Sequence, residues 1–173
     1  MYRYLLLSML LVAACKKKDA EPAAGSAAAA APKATCPAGA TKEAAGGFCL
    51  TLPANWHELP AGDFAGKKEY KFHDASNNHE VSVTVGAYDG NQAGFDSSIS
   101  ISSDMVKTKT GFALVPIPGG KFNTYQDEDG VWGVSWVHDA KSVYECHTRE
   151  SPTDKSPEIP TINAACKTVV GLL

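Results

Sequence analysis

Arginine is almost absent from this 173-residue sequence, in which Arg3 and Arg149 are the only two. Residues 1–35 hold five basic and two acidic side chains, which leaves 11 basic and 17 acidic side chains in residues 36–173. A surface that binds nucleic acid needs clustered cations to displace counterions from the phosphates. The net balance of −6 in residues 36–173 therefore argues against a nucleic-acid partner.

A long hydrophobic run is also lacking. The longest, residues 5–14, has ten residues and is interrupted by Ser8. As a helix it would span about 15 Å, half of the roughly 30 Å hydrocarbon core of a bilayer, so it is too short to cross a membrane. It follows Arg3 and ends in small residues, and this pattern predicts a signal peptide over residues 1–14.

The end of this run, Leu11-Val12-Ala13-Ala14-Cys15, resembles the lipobox of bacterial lipoproteins. The resemblance implies that the Cys15 thiol takes a diacylglycerol, that cleavage frees the Cys15 amine, and that a fatty acid such as palmitate is added there. Several acyl chains anchor a protein stably to a membrane. Lys16 stands where enteric-type bacteria place the Asp that retains lipoproteins at the inner membrane. We therefore expect an outer-membrane protein that faces the periplasm or the cell surface. The alternative is an ordinary secreted protein with an incidental Cys15.

Residues 16–35 lack large apolar side chains, and nine of these twenty residues are alanine. Such a segment cannot bury enough surface to offset the entropy of ordering, so we predict a disordered tether over residues 15–35. As a flexible coil it would span roughly 25 Å. The remaining residues, 36–173, are predicted to form a single domain.

The cysteines contain no C-x-x-C pair, so neither a redox motif nor a zinc ribbon is indicated. Lipidation of Cys15 would leave four cysteines, which in an oxidising periplasm predict two disulfide bonds with three possible connectivities. Modest loop lengths favour Cys36–Cys49 and Cys146–Cys166. A nested connectivity remains the alternative.

Alternating apolar residues and tight-turn signals predict an antiparallel meander. The strands are expected at 48–52, 68–73, 80–87, 121–128, 131–138 and 143–148, with turns at 76–78, 129–130 and 139–142. A two-residue turn at 129–130 would pair Phe122 with Val137, and the next turn would pair Val137 with Tyr144.

Two segments have helical spacing. Phe95, Ile99 and Val106 predict a helix over residues 95–109, although residues 98–101 alone could form a strand. A second stripe predicts a C-terminal helix that covers the Cys146 face of the sheet, and it consists of Ile162, Ala165, Cys166, Val169 and Leu173. Because the sheet carries apolar residues on both faces, we predict an α+β fold, an antiparallel meander covered by helices on both faces.

The opening GFCLTLPANW (residues 47–56), the meander, the middle helix, a YEC strand and a C-terminal helix with a second cysteine resemble the PsbP-like α/β/α sandwich. The resemblance covers residues 36–173. It implies a non-catalytic binding or assembly module, because most members of that fold serve such roles.

Catalytic and metal-binding patterns are absent from the sequence. The five histidines have no HxH, HxxxH or HExxH spacing, and His73 and His79 are expected to be exposed beside a turn. Residues 127–130 fail the EF-hand pattern, since Tyr125 and Trp136 would occupy the first and last ligand positions. Ser135 lacks the second glycine of a nucleophile elbow. We therefore predict no metal, no cofactor and no catalytic residue.

The three tryptophans, Trp56, Trp132 and Trp136, are expected in the core, with a ligand cleft as the alternative for one of them. The sequence thus predicts a membrane-anchored envelope lipoprotein with a protein-binding or assembly domain whose partner is another envelope protein. A small-ligand or metal-binding lipoprotein is the alternative.

Lipidation of Cys15 is directly testable. Mass spectrometry of the native protein should find Cys15 as a lipid-modified mature N-terminus, because the apolar run and the small residues end there. An unmodified N-terminus elsewhere, or a soluble pool that retains Cys15, would contradict the prediction.

Overall fold

The protein is built on a large antiparallel β-sheet, seen in a computed structural model that describes residues 35–43, 45–76, 78–151, 153–154 and 157–172. The predicted signal peptide, Cys15 and the tether up to residue 34 lie outside the described residues, as does Asn77 of one predicted turn. Within the described ranges, no helix has the length and apolarity needed to span a bilayer.

The described elements follow one another along the chain with short connections. They are β1 (Thr41–Glu43), β2 (Phe48–Leu50), β3 (His57–Glu58), β4 (Gly62–Phe64), β5 (Lys67–His73), β6 (Glu80–Ala87), α1 (Gln92–Val106), β7 (Thr110–Ile117), β8 (Gly120–Gln126), β9 (Val131–His138), β10 (Ser142–Glu150), α2 (Ile159–Ala165), a 3₁₀ helix (Cys166–Thr168) and β11 (Val170–Gly171).

The strands form two sheets. The large one has eight strands in the order β3-β5-β6-β10-β9-β8-β7, and β4 pairs with β5 beside this path. The small one has the order β1-β2-β11. Neighbouring strands in both sheets are antiparallel, as the alternation pattern predicts.

The main core lies between the large sheet and a layer formed by the small sheet and α2. Phe48 of β2 is at its centre, and its ring meets those of Tyr70, Phe72 and Tyr144 edge-on at centroid distances of 5.5, 6.4 and 5.9 Å. Burying one such ring stabilises a fold by roughly 1.5–3 kcal/mol. The layer above the sheet is therefore fixed by aromatic packing around β2.

The opposite face of the large sheet contacts α1. This helix begins after Asn91, whose side chain accepts a hydrogen bond from the Gly94 N–H, and it buries Phe95 and Ile99 against Val134 and Trp136. It covers only part of this face, and the side formed by β5, β6 and β10 stays open. The structure is thus an antiparallel sheet with few helices, and the prediction that helices cover both faces is not confirmed.

Two disulfide bonds join Cys36 to Cys49 and Cys146 to Cys166. This is the connectivity that closes the two modest loops, and the nested alternative is not the one present. The second bond attaches the end of α2 to the middle of β10, where Cys146 and Cys166 are both fully buried.

The predicted register between β8 and β9 is wrong by two residues, since Phe122 pairs with Ser135 instead of Val137. The tight turn lies at residues 128–129, one position earlier than predicted, and the Asp127 N–H donates to the Gly130 carbonyl across it. The Asp127 carboxylate causes the difference, because it accepts hydrogen bonds from the N–H groups of Asp129 and Gly130. The predicted pairing of Val137 with Tyr144 is confirmed.

The predicted C-terminal helix is too long. It ends as a 3₁₀ turn because the Thr168 hydroxyl donates to the Ala165 carbonyl and accepts from the Thr51 N–H, and Val170 then pairs with Cys49 in the small sheet. Leu173 lies outside the described residues. The middle helix is confirmed over Gln92–Val106, and the strand alternative for residues 98–101 is wrong.

Removing the second disulfide should destabilise the domain measurably. The double variant Cys146→Ala/Cys166→Ala opens a bridge between residues 20 positions apart, and the free energy of unfolding should fall by about 3 kcal/mol. Urea unfolding of the purified domain measures the change. A loss below about 1 kcal/mol would contradict the role of this bond in holding α2 on the sheet.

Candidate functional site

The side of the sheet that α1 leaves open is polar, although the same strands bury apolar residues on their other face. Successive side chains of a strand point to opposite faces, so the register of β5, β6 and β10 decides which residues meet. The residues on the open side form two rows across the three strands, Glu69, Thr84 and Glu145 in one and Lys71, Ser82 and His147 in the next.

Glu145 occupies the centre of this surface between Lys67 and His147. Its Oε1 is 3.1 Å from His147 Nε2, and its Oε2 is 3.4 Å from Lys67 Nζ. The hydrogen bond from His147 opposes the effect of burial and, with the charges of His147 and Lys67, lowers the pKa of Glu145 to about 2. The carboxylate is ionised at neutral pH, and its charge is already partnered within the protein.

Two depressions meet at Lys67 and Glu145, and together we call them the open groove. The first, of about 440 Å³, lies beside the N-terminal half of α1 and reaches Phe95 and Trp136. The second, of about 360 Å³, extends towards Trp132 and exposes mostly apolar surface. Concave apolar surface with a few fixed polar groups is typical of a binding site.

Phe64 stands at the edge of the second depression and is 60% exposed. It ends β4, and the following turn consists of Ala65 at φ 50° and Gly66 at φ 78°. Positive φ is unfavourable for alanine, but a two-residue turn of this handedness closes a hairpin tightly. The turn pairs Phe64 with Lys67, which places the ring on the side of the open groove.

The expectation that His73 and His79 are solvent-exposed is wrong for both, since the His73 side chain is only 18% exposed. His79 is 8% exposed, not solvent-exposed, because its Nδ1 bonds the Glu150 carboxylate and its Nε2 is 3.6 Å from Asp154 Oδ2. Burial opposes protonation of His79, but Glu150 and the acidic neighbours outweigh it, so the pKa of His79 is raised. Burial also raises the pKa of Glu150. The pair ties the end of β10 to the segment before β6.

His73 lies on the open side, where its Nε2 is 2.9 Å from Glu80 Oε2. Across the part of the chain that the structure describes, no three His, Cys, Asp or Glu side chains are arranged to hold a metal ion. The absence of a metal or cofactor in the native protein stays a prediction.

The other candidate residues from the sequence are engaged in contacts that serve the fold. Ser135 is fully buried in the middle of β9. Asp127 also accepts a hydrogen bond from the Trp132 indole, at 2.9 Å, so its carboxylate organises a hairpin. The four cysteines of the described residues are all in disulfide bonds, which leaves no free thiol there.

The tryptophans divide between core and groove. Trp136 is buried beneath α1 and borders the first depression of the open groove, whereas Trp56 packs at the edge of the main core. Trp132 lines the second depression, and the Arg149 guanidinium lies 5.5 Å from its ring centroid. Sequence reasoning missed Glu145 and Lys67, because their meeting depends on the pairing of β5, β6 and β10 over 78 positions of the chain.

No protein-family model and no curated protein matches this chain. The solution structure of cyanobacterial PsbP (CyanoP) from Synechocystis sp. PCC 6803 is similar at 9% identity, with a TM-score of 0.50, over 76% of this chain and 91% of that one. A Bacteroides thetaiotaomicron VPI-5482 crystal structure aligns at 14% identity with a TM-score of 0.46, over 72% of this chain, which spans 45% of that protein. The first similarity supports the PsbP-like fold and says nothing about activity.

Because the Glu145 carboxylate is paired with Lys67 and His147, we predict that its contribution to the stability of the fold is lost in acid. The pKa of Glu145 is lowered from its ordinary 4.5 to about 2. Its ionised form therefore stabilises the fold above pH 4.5, and this contribution is lost as the pH falls towards 2. When urea unfolding is measured at about pH 5 and again at about pH 3, the free energy of unfolding should fall more for the wild type than for Glu145→Gln.

The control for this comparison is Asp104→Asn, which changes an exposed carboxylate on α1. It should keep the pH dependence of the wild type. Equal pH dependence in the wild type and Glu145→Gln would contradict the contacts of Glu145 with Lys67 and His147.

Proposed function

We propose that this chain is a lipid-anchored envelope lipoprotein whose domain binds another envelope protein through the open groove. The lipobox-like segment ending at Cys15 supports the anchor, and Lys16 supports an outer-membrane location facing the periplasm or the cell surface. The alanine-rich segment that follows has the composition of a tether. It would let the domain reach a partner away from the lipid.

The observation that carries the protein-binding proposal is Phe64, a 60% exposed aromatic side chain beside a largely apolar depression. Leaving such a ring in water is unfavourable, and a contiguous exposed apolar patch rimmed by polar groups marks an interaction site. Met105 on α1 is 71% exposed and adds apolar surface beside Glu145 and His147. A partner that presents an apolar segment would bury this surface.

The charges of the open groove support an apolar contact with the partner. Lys67 and Glu145 neutralise each other, and Lys71 lies 3.4 Å from Glu80 Oε1 and 3.8 Å from Glu69 Oε2. In these contacts two lysines face three carboxylates, and Asp89 borders the first depression, so the open groove carries a small negative charge that disfavours an anionic ligand. Binding would therefore depend on burial of Phe64 and Trp132 more than on ion pairing.

We propose further that the domain is not an enzyme. General acid–base or nucleophilic catalysis needs a titratable group close to a reacting position and to a second catalytic group. Ser135 is buried in the middle of a sheet, the domain cysteines are paired, and His79 is engaged by Glu150. These surroundings support a binding role.

A small-ligand or metal-binding lipoprotein is the second candidate. The depressions lined by Trp132, Trp136 and His147 favour a small ligand, since such sites combine aromatic walls with few polar groups. Elemental analysis of protein purified without chelator tests the metal form. A full equivalent of zinc or copper, together with no crosslinked partner, would favour this candidate.

Site-specific photocrosslinking in intact cells of the native organism tests the proposal. Benzoylphenylalanine in place of Phe64 should give one discrete adduct on irradiation, because the side chain would lie within the interface. The same group at Thr153, an exposed position in the loop after β10, should give none.

The substitution Phe64→Ser tests whether the ring of Phe64 contributes to binding of the partner. In a protein that carries benzoylphenylalanine in place of His147, on the floor of the open groove, Phe64→Ser should reduce the yield of the adduct. It should not lower the melting temperature, since the ring of Phe64 is mostly exposed. Adducts of equal yield at positions 64 and 153, or none at either, would contradict binding through the open groove.

A further inference from the structure

Asn123 is a polar residue at a buried position of β8 that an apolar residue could fill. It lies in β8 opposite Val134, its side chain is fully inaccessible to solvent, and neither its amide nitrogen nor its amide oxygen has a hydrogen-bond partner. Buried polar groups are nearly always paired, and one that is not calls for a specific explanation. Asparagine is also disfavoured in strands. A leucine at this position would pack against Val134 without leaving a polar group unpaired.

A pocket of about 210 Å³ lies beside Asn123, between the C-terminal half of α1 and the sheet. Val134, Trp136 and Tyr125 form its walls, and Met105 and Val106 close it from the helix. Its other end meets Glu145 and His147, where it joins the open groove. The pocket thus has a largely apolar body, with Asn123 and Ser102 in its lining and the charged pair of Glu145 and His147 at one end.

The helix above the pocket carries a second unpaired group. Ser103 is buried on the sheet-facing side of α1, and its hydroxyl also has no partner. Two unpaired polar groups at one helix–sheet interface indicate that this contact is not optimised for stability alone. Met105, which closes the mouth, is 71% exposed and unbranched, so it can move aside at low cost.

We propose that this pocket binds a small neutral molecule with an apolar body and a planar group that offers a donor and an acceptor side by side, such as a primary carboxamide. The Asn123 amide is closed to solvent in this structure, so the side chains that separate it from the pocket would first have to move aside. Its nitrogen and oxygen would then supply the complementary pair, and two hydrogen bonds would form reciprocally. No Lys or Arg lines the pocket, and the ionised Glu145 at its end would repel an anion. The site does not depend on the proposed protein contact, because the isolated domain contains all of it.

Benzamide is a suitable probe, with acetophenone (acceptor only) and ethylbenzene (neither group) as matched comparisons. In titrations followed by ¹H–¹⁵N correlation spectra, benzamide should shift the Asn123 side-chain amide and bind at least about tenfold more tightly than ethylbenzene. Acetophenone should fall between them. Equal affinities for the three probes, or no benzamide binding at millimolar concentration, would overturn the proposal.

The variant Asn123→Leu separates a ligand site from a structural one. The proposal predicts that benzamide binding is lost and that the melting temperature stays the same or rises, because replacing an unpaired buried amide by an apolar group removes its desolvation cost. Asn163→Leu is the matched control on α2, with an amide oxygen that is also unpaired, and it should leave binding unchanged.

A lower melting temperature with unchanged benzamide affinity would show that Asn123 serves the fold, through bound water for example, and would overturn the proposal. If Asn123→Leu does not fold, Met105→Trp tests the same site from an exposed position by filling its mouth. That variant should abolish benzamide binding, and retained binding would also overturn the proposal.

Discussion

The structure depends on the alternation of side chains along β10, the strand between β6 and β9. Tyr144, Cys146 and Thr148 point into the main core, whereas Glu145 and His147 point to the opposite face. A shift of this strand by one residue would expose the core cysteine and bury the charged pair. The disulfide bond to Cys166 therefore fixes the composition of the open groove as well as the packing of α2.

The two faces of the large sheet differ in how fully other elements cover them. Around Phe48 the aromatic rings meet edge-on and every large side chain of the main core is covered. On the α1 face the fully buried cluster is small, and the charged side chains beyond it pair with one another. This face therefore combines internally paired charges with exposed apolar surface at Phe64 and Met105.

The sequence predicts the antiparallel meander well, because period-two patterning and tight turns are local signals. It predicts both disulfide bonds from loop length, and the α1 core from the spacing of Phe95 and Ile99. It misses the eight-residue edge strand β7 and the short strands β1, β3, β4 and β11, which have two or three residues each. It misplaces the turn within residues 127–130 by one position, because the Asp127 side chain caps that turn. The His79–Glu150 pair and the Glu145 cluster join residues more than 70 positions apart, and no local pattern encodes such meetings.

The disulfide bond between Cys36 and Cys49 also has a mechanical consequence. Cys49 is fully buried in β2 and pairs with Lys42 on one side and Val170 on the other. Tension applied from the N-terminal side, as a membrane anchor would apply it, passes through the sulfur–sulfur bond directly into this strand and bypasses residues 37–48. The load then falls on β2 and its pairing with β11, so the domain cannot be peeled apart residue by residue from its N-terminal side.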